Sequence, residues 1–240
     1  MKPLPHVLLA TCCVMALVAC GERKTDPTLP PSTDEALKSS DMPLLPVTPG
    51  DRWIYQTRLS IPAGVTSPGA AEVNTSHERV RAYLGKQPAA EGLPAVDCFE
   101  VTAPGAPAER EFVEIHNDRI LMRGSLIIRP ETTKPMWLAD AVPFVVAGMK
   151  AGTAMPGFRT GDGALSRRTE VIAREDVTVP AGTFPCIRLL TTGRDGDLEL
   201  RRTVWFSPKT GIVREEKIRY RGDKLIFREI QELSRIERAK

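Results

Sequence analysis

The chain has few of the residues that catalysis and metal binding usually need. Of its 240 residues, three are histidine (His6, His77 and His116) and five are cysteine. No two histidines stand at ligand spacing and no Cys-x-x-Cys motif occurs, so no metal centre or dithiol site is expected. Also lacking are a Gly-x-Ser-x-Gly elbow, a Gly-x-x-x-x-Gly-Lys-Ser/Thr loop and a His-Glu-x-x-His motif, which leaves no nucleophile, phosphate loop or zincin helix to name. No cofactor and no enzymatic activity are therefore expected. Glu114 with His116, and Asp195 with Asp197, can each face one way from a strand or turn, where such pairs serve solubility. Aromatics are sparse at 5%, and neither sign of charge dominates, with 33 Lys and Arg against 30 Asp and Glu. The charges interleave, as in Arg214-Glu215-Glu216-Lys217. A nucleic-acid surface gathers its cations into a patch, and none appears. Anionic lipid head groups are the alternative partner for the basic C-terminal third. Long apolar runs are missing too, none approaching the ~20 residues of a spanning helix.

What is present begins at the N-terminus. Lys2 precedes an apolar run from Val7 to Val18, and Ala19 is the small residue that a signal peptidase requires. Leu17-Val18-Ala19-Cys20 resembles the lipobox of bacterial lipoproteins at every position. The resemblance implies that residues 1–19 leave as a signal peptide and that Cys20 becomes the first mature residue. Its sulfur would carry a diacylglycerol, and its amine as a rule a third chain such as palmitate. At ~0.8 kcal/mol per buried methylene, two or three chains anchor a protein to the membrane almost irreversibly. The expected place is the cell envelope. Gly21, rather than Asp, after the cysteine favours the outer membrane, facing the periplasm, in a cell with two membranes.

Residues 20–44 are polar and rich in Pro, Ser, Thr and Asp. They read as a tether, with Ser32 to Ser39 the one stretch suited to a helical turn. Residues 45–240 read as one β-rich domain. Trp53 to Leu59 opens it, and in Val80-Arg81-Ala82-Tyr83-Leu84 the residues Val80, Ala82 and Leu84 fall on one side. Short β-branched runs follow as far as Leu225 to about Leu233, with Arg168–Ala173 and Asp176–Val179 as separate strands. Gly, Pro and Asp punctuate them, as in antiparallel meanders. Two cysteines remain in this domain, Cys98 and Cys186. An even pair in an oxidising compartment suits a disulfide, and a cysteine in an apolar strand equally suits a small buried hydrophobe. One segment, Pro135 to Val146, is apolar without alternation. With Pro143 in its middle it reads as a loop, or one to two helical turns, plugging an end or open face of the sheet.

The chain also repeats itself. Gly92 to Val101 resembles Pro180 to Leu189 with Cys98 and Cys186 in register. Phe112-Val113-Glu114-Ile115 resembles Thr203-Val204-Trp205-Phe206, and Pro49 to Tyr55 has a weaker echo in Ala151 to Phe158. The repeats span 45–124 and 141–233. One such unit cannot cover its own apolar face, so two should pack together or continue one sheet. In this alignment Trp205 covers a sheet face and Glu114 marks a solvated one. The expected architecture is a large curved antiparallel sheet or open barrel, built from two meanders with one short plug.

Val179-Pro180-Ala181-Gly182-Thr183-Phe184 and Thr203-Val204-Trp205-Phe206-Ser207-Pro208-Lys209-Thr210-Gly211-Ile212-Val213-Arg214-Glu215-Glu216 resemble a module of uncharacterised β-rich envelope lipoproteins. That family supplies no activity and no catalytic residue. Gly50-Asp51-Arg52-Trp53 approaches the Gly-x-Trp of lipocalins with one residue too many. Trp53, Trp137 and Phe144 are the candidate apolar ligand or partner surface. Two functions compete: a non-enzymatic binding or structural domain that engages an envelope protein or lipid, and a hydrophobic-ligand carrier on an open barrel. An envelope hydrolase ranks third.

Overall fold

The computed structural model describes residues 42–89, 94–131, 134–159 and 165–240. Cys20, the apolar leader, the residue 32–39 stretch and most of the tether lie outside them. The fold is all β. The strands are β1 (Arg52–Ile61), β2 (Val73–Gln87), β3 (Val96–Thr102), β4 (Glu109–Ile115), β5 (Arg119–Ile127) and β6 (Met136–Val146), then β7 (Ala154–Arg159), β8 (Leu165–Val179), β9 (Gly182–Asp195), β10 (Leu198–Ser207), β11 (Gly211–Arg221) and β12 (Lys224–Glu237).

All twelve join one antiparallel sheet in the order β6-β5-β4-β3-β2-β1-β12-β11-β10-β9-β8-β7. Each strand pairs with its successor except β6 with β7, while β1 pairs with β12 along Arg52↔Glu237 to Ser60↔Arg228. The sheet curls into a barrel that is nearly closed, with its seam in the middle of the chain rather than at the chain ends. Closure of this kind removes most of the exposed edge that an open sheet would present. The expected all-β antiparallel architecture holds. The two halves, β1–β6 and β7–β12, follow the order of the repeat: Cys98 lies on β3 and Cys186 on β9, Glu114 on β4 and Trp205 on β10.

Alternation sets what faces inward. On β1 the buried Trp53, Tyr55, Thr57 and Leu59 line the interior while Arg52, Gln56 and Arg58 face out. On β2 the side that carries Val80, Ala82 and Leu84 is the outer one, and Arg79, Arg81 and Tyr83 face in. Up-and-down connection puts the turns β2–β3, β4–β5, β6–β7, β8–β9 and β10–β11 at one end of the barrel. That end is closed by the N-terminal segment. Leu44 donates its N–H to His116 O (2.9 Å) and accepts from Lys209 N–H (2.8 Å), and Leu44 and Leu45 are both buried in the core. Gly211 takes φ +99°, and a Cβ there would lie 3.5 Å from both Leu45 Cδ1 and Trp53 Nε1. The Asp51 carboxylate ties the C-terminus to the same end, accepting from Arg238 Nη1 (2.8 Å) and Ala239 N–H (2.9 Å).

Several sequence expectations are corrected. Pro135 to Val146 is not a helical or loop plug but strand β6, at the edge of the seam, where Met136 and Trp137 pair with Ser125 and Gly124. Pro143 is tolerated because an edge strand can carry a residue that donates no hydrogen bond. The plugging role belongs to Leu44 and Leu45. Arg168–Ala173 and Asp176–Val179 are one strand, β8, with a bulge between Val171 and Ala173. Cys98 and Cys186 form no disulfide: both are free and buried. Their strands stand six places apart in the sheet, and they pack in separate clusters, Cys98 with Val96 and Phe112, Cys186 in the main core.

Candidate functional site: a charged lumen behind an open mouth

The barrel interior changes character along its axis. Toward the closed end it is apolar: Phe99 meets Trp53 edge-on at a centroid distance of 5.8 Å and Tyr83 at a tilt at 5.2 Å, with Leu45, Val113, Phe206 and Val213 around them. Trp53 donates its indole N–H to Thr210 O at 2.6 Å, which satisfies the one polar atom of this layer's largest side chain. Midway along, the inward positions become charged. Four cations, Arg79, Arg81, Arg202 and Lys217, meet four carboxylates, Glu109, Glu111, Glu215 and Glu229, drawn from β2, β4, β10, β11 and β12.

Register explains the encounter. β11 turns Val213, Glu215 and Lys217 to one side, and Glu215 and Lys217 stand opposite Gln231 and Glu229 of β12. Arg79 Nη1 reaches Glu229 Oε1 at 3.0 Å, and Arg81 Nη2 reaches Glu111 Oε2 at 2.9 Å. Lys217 Nζ lies 3.5 Å from both Glu215 Oε2 and Glu229 Oε1, joining the pairs into one network. Arg202 and Gln231 both donate to Glu215. Tyr55 donates its hydroxyl to Ile212 O at 3.0 Å beneath them.

The network holds its members in fixed charge states. Burial pushes the Glu215 carboxyl up, but Arg202, Lys217 and Arg79 outweigh it and bring its pKa down to about 2. Burial lowers the Lys217 ammonium, and Glu215 more than restores it, leaving it raised. Glu111 is likewise held low, by Arg81 and then Arg202 against burial. Glu109 goes the other way: burial and the neighbouring Glu111 raise it, and the cations only partly offset this. Its side chain forms no hydrogen bond or ion pair with the described residues.

Two further polar atoms are unsatisfied here. Thr57 Oγ1 and Gln231 Oε1 are buried without a partner, on residues directly opposite each other across the β1–β12 pairing. Buried polar atoms without a partner among the described residues cost about 1–3 kcal/mol each. The next pair toward the open end, Leu59 and Glu229, lines a cavity of about 300 Å³. Its walls include Arg79, Glu109, His77 and Arg129, and the β3–β4 loop from Ala103 to Pro107 forms its rim.

The residues singled out from sequence do not assemble into one surface. Trp53 and Phe144 both belong to the lumen, where Phe144 meets Phe206 edge-on at 6.2 Å. Trp137 lies in the other cluster, against Phe112 at 4.8 Å and close to Cys98. The cavity beside Phe144 measures only about 10 Å³ and is edged by Arg81, Glu111 and Arg202. It has room for one water at most. Burial pushes the Cys98 and Cys186 thiols up, to about 11 and about 12, so neither is a ready thiolate. Glu114 contacts His116 at 3.3 Å and Arg123 at 2.5 Å, outside the lumen. Asp197 pairs with Arg221 at 2.7 Å in a hairpin turn. Trp205 is half-buried on the outer face, donating to Glu175 Oε1 at 2.7 Å beside Arg214, so it does not cover a buried sheet face.

Sequence reasoning missed the lumen charges. The available signal was parity: Glu215 and Lys217 fall in phase with Val213, Arg79 and Arg81 with Tyr83, and Glu229 and Gln231 with Leu233. A run such as Arg214-Glu215-Glu216-Lys217 reads as solvated charge until its phase is fixed by the core.

No protein-family model and no curated protein matches the chain. Two crystal structures overlap it, each with a TM-score of 0.47, covering 81% of this chain and 98% of theirs. One, at 14% identity, is a protein of Bacteroides fragilis provisionally described as exported and as having a YmcC-like fold. The other, at 13% identity, is a protein of Parabacteroides distasonis provisionally described as a lipoprotein. At that overlap and identity, neither transfers a function to this chain.

Proposed function

We propose that this chain is an exported envelope protein, anchored by lipid at Cys20, whose barrel binds a polar ligand at its open mouth without transforming it. The observation that carries the reading is the cavity of about 300 Å³ opening onto buried charge, with Thr57 Oγ1 and Gln231 Oε1 unpaired beneath it. The volume is at the lower end for small-ligand sites. The network beneath the cavity is a fixed electrostatic scaffold: Glu215 and Lys217 are driven away from neutrality, whereas a general acid or base is tuned toward it; Glu109 at the cavity wall is raised instead. The hydrophobic-carrier reading finds little room, because the apolar end of the lumen is already filled by side chains.

The chain enters the barrel through Leu44 and Leu45 at the closed end. An anchor at Cys20 would therefore tether the barrel from the end opposite the mouth. The outer membrane is the proposed site in a two-membrane cell. Native mass spectrometry of protein extracted from its own membranes tests the binding. A small polar adduct is expected, and it should be lost in Ala106→Trp, which narrows the rim. Lipid retained by both forms would instead favour the hydrophobic carrier.

A further inference from the structure

The mouth cavity contains two charged groups of opposite sign that do not use each other. Glu109 and Arg129 both line it, and neither forms a hydrogen bond or ion pair among the described residues. Their spacing follows from the sheet. Glu109 stands opposite Ile127 in the β4–β5 pairing, and Ile128 donates its N–H to Ala108 O at 2.8 Å just beyond it. Arg129 is two residues past Ile127 on the same face, so its Cα is displaced along the strand by ~7 Å. The other charged groups of the wall are already committed, Arg79 to Glu229 at 3.0 Å and Glu229 also to Lys217 at 3.5 Å.

Resting on the mouth-binding reading above, we infer that the cavity takes a zwitterion, with an amine against Glu109 and a carboxylate against Arg129, as a short peptide presents. A desolvated carboxylate is stabilised by an ammonium that can donate to it, and a guanidinium by a carboxylate that can accept two bonds. An anion alone would satisfy Arg129 and face Glu109; a cation alone would do the reverse. Thr75, Ser76 and Thr102 supply hydroxyls around the same space for a peptide group. No Phe, Tyr or Trp lines it, so the large stacking platforms common at nucleobase sites are missing. The Pro104-Gly105-Ala106-Pro107 rim is small and carries no charge, so it imposes little on a peptide side chain.

The test uses the full chain purified in detergent, with the twenty glycyl dipeptides at millimolar concentration as probes. Thermal shift screens them, and calorimetry measures any that bind. Binding by free dipeptides is expected, weakened about tenfold or more by N-acetylation and likewise by C-terminal amidation, the loss of one charge-assisted bond in each case. Glu109→Gln should erase the penalty of N-acetylation and leave that of amidation; Arg129→Gln should do the opposite. Glu109→Gln keeps the size of the original side chain and Arg129→Gln shortens it; an unchanged thermal midpoint without ligand verifies the fold of both. If no dipeptide binds, or if blocked and free dipeptides bind alike, the zwitterion assignment is overturned. If glucose binds instead and Ala106→Trp abolishes it, the mouth-binding reading survives and only the ligand class falls.

Discussion

Replacing Glu215 with glutamine is the sharpest perturbation of the lumen, because the carboxylate is buried and three cations converge on it. Its pKa is about 2 against an ordinary 4.5. The folded value is the depressed one, so the stabilisation is fully present above pH 4.5 and is lost as the pH falls toward 2. A shift of this size corresponds to about 3 kcal/mol at neutral pH, of which about 2 kcal/mol is gone by pH 3. Glutamine keeps the shape and an acceptor but leaves Arg202, Lys217 and Arg79 short of one negative charge in a buried site. Breaking a buried pair in this way costs about 3–5 kcal/mol. Urea unfolding of the purified protein at pH 7 and at pH 3 reads both quantities. Glu215→Gln should lower stability by that amount at pH 7, and its loss on acidification should be about 2 kcal/mol smaller than that of the wild type. Asp51 and Glu114 are also held low and contribute equally to the acid sensitivity of both forms, while Glu111, which feels Glu215, shifts with the substitution, so the difference reads Glu215 together with its effect on Glu111. The reasoning fails if the variant is within about 1 kcal/mol of wild type at pH 7 and both lose stability equally in acid.

Three further sets of outcomes are expected. Cys20→Ala should abolish acyl labelling and membrane retention; a variant that stays membrane-bound refutes the anchor. Removing residues 21–41 should leave the thermal midpoint nearly unchanged, whereas Leu45→Ala, in the buried plug, should cost about 2–5 kcal/mol by urea unfolding. Phe206→Ala should cost about 3–5 kcal/mol as a truncated core aromatic, and the neighbouring Trp205→Ala only about 1–2 kcal/mol, since it is half-buried and gives up one hydrogen bond; a larger loss at Trp205 than at Phe206 would mean that β10 has the opposite phase.

Much of the fold could be read along the chain because strand formation is a local matter. Short β-branched runs between Gly, Pro and Asp turns mark β1, β4, β5 and β9 to β12, and turns as tight as Arg221-Gly222-Asp223-Lys224 make neighbours of successive strands. Pro143 misled because its local meaning is to break regular structure, and only the neighbouring strands show that β6 is an edge where a missing donor costs little. Trp205 misled for a related reason. Its size suggests burial, but its neighbours Val204 and Phe206 take the inward positions and the pleat sends Trp205 outward.

The sequence by itself determined the β class and the meandering order of strands, since each depends on residues close together in the chain; Leu17-Val18-Ala19-Cys20, equally local, is the basis on which lipid anchoring is proposed. Tertiary structure alone decided the closure of β1 on β12, the seam between β6 and β7, the separation of Cys98 from Cys186, and the plug at Leu44 and Leu45. It also decided the site. A one-residue change of phase exchanges the two faces of a strand, so whether Arg79, Glu215 and Glu229 meet solvent or one another is fixed only when the curled sheet sets every register at once.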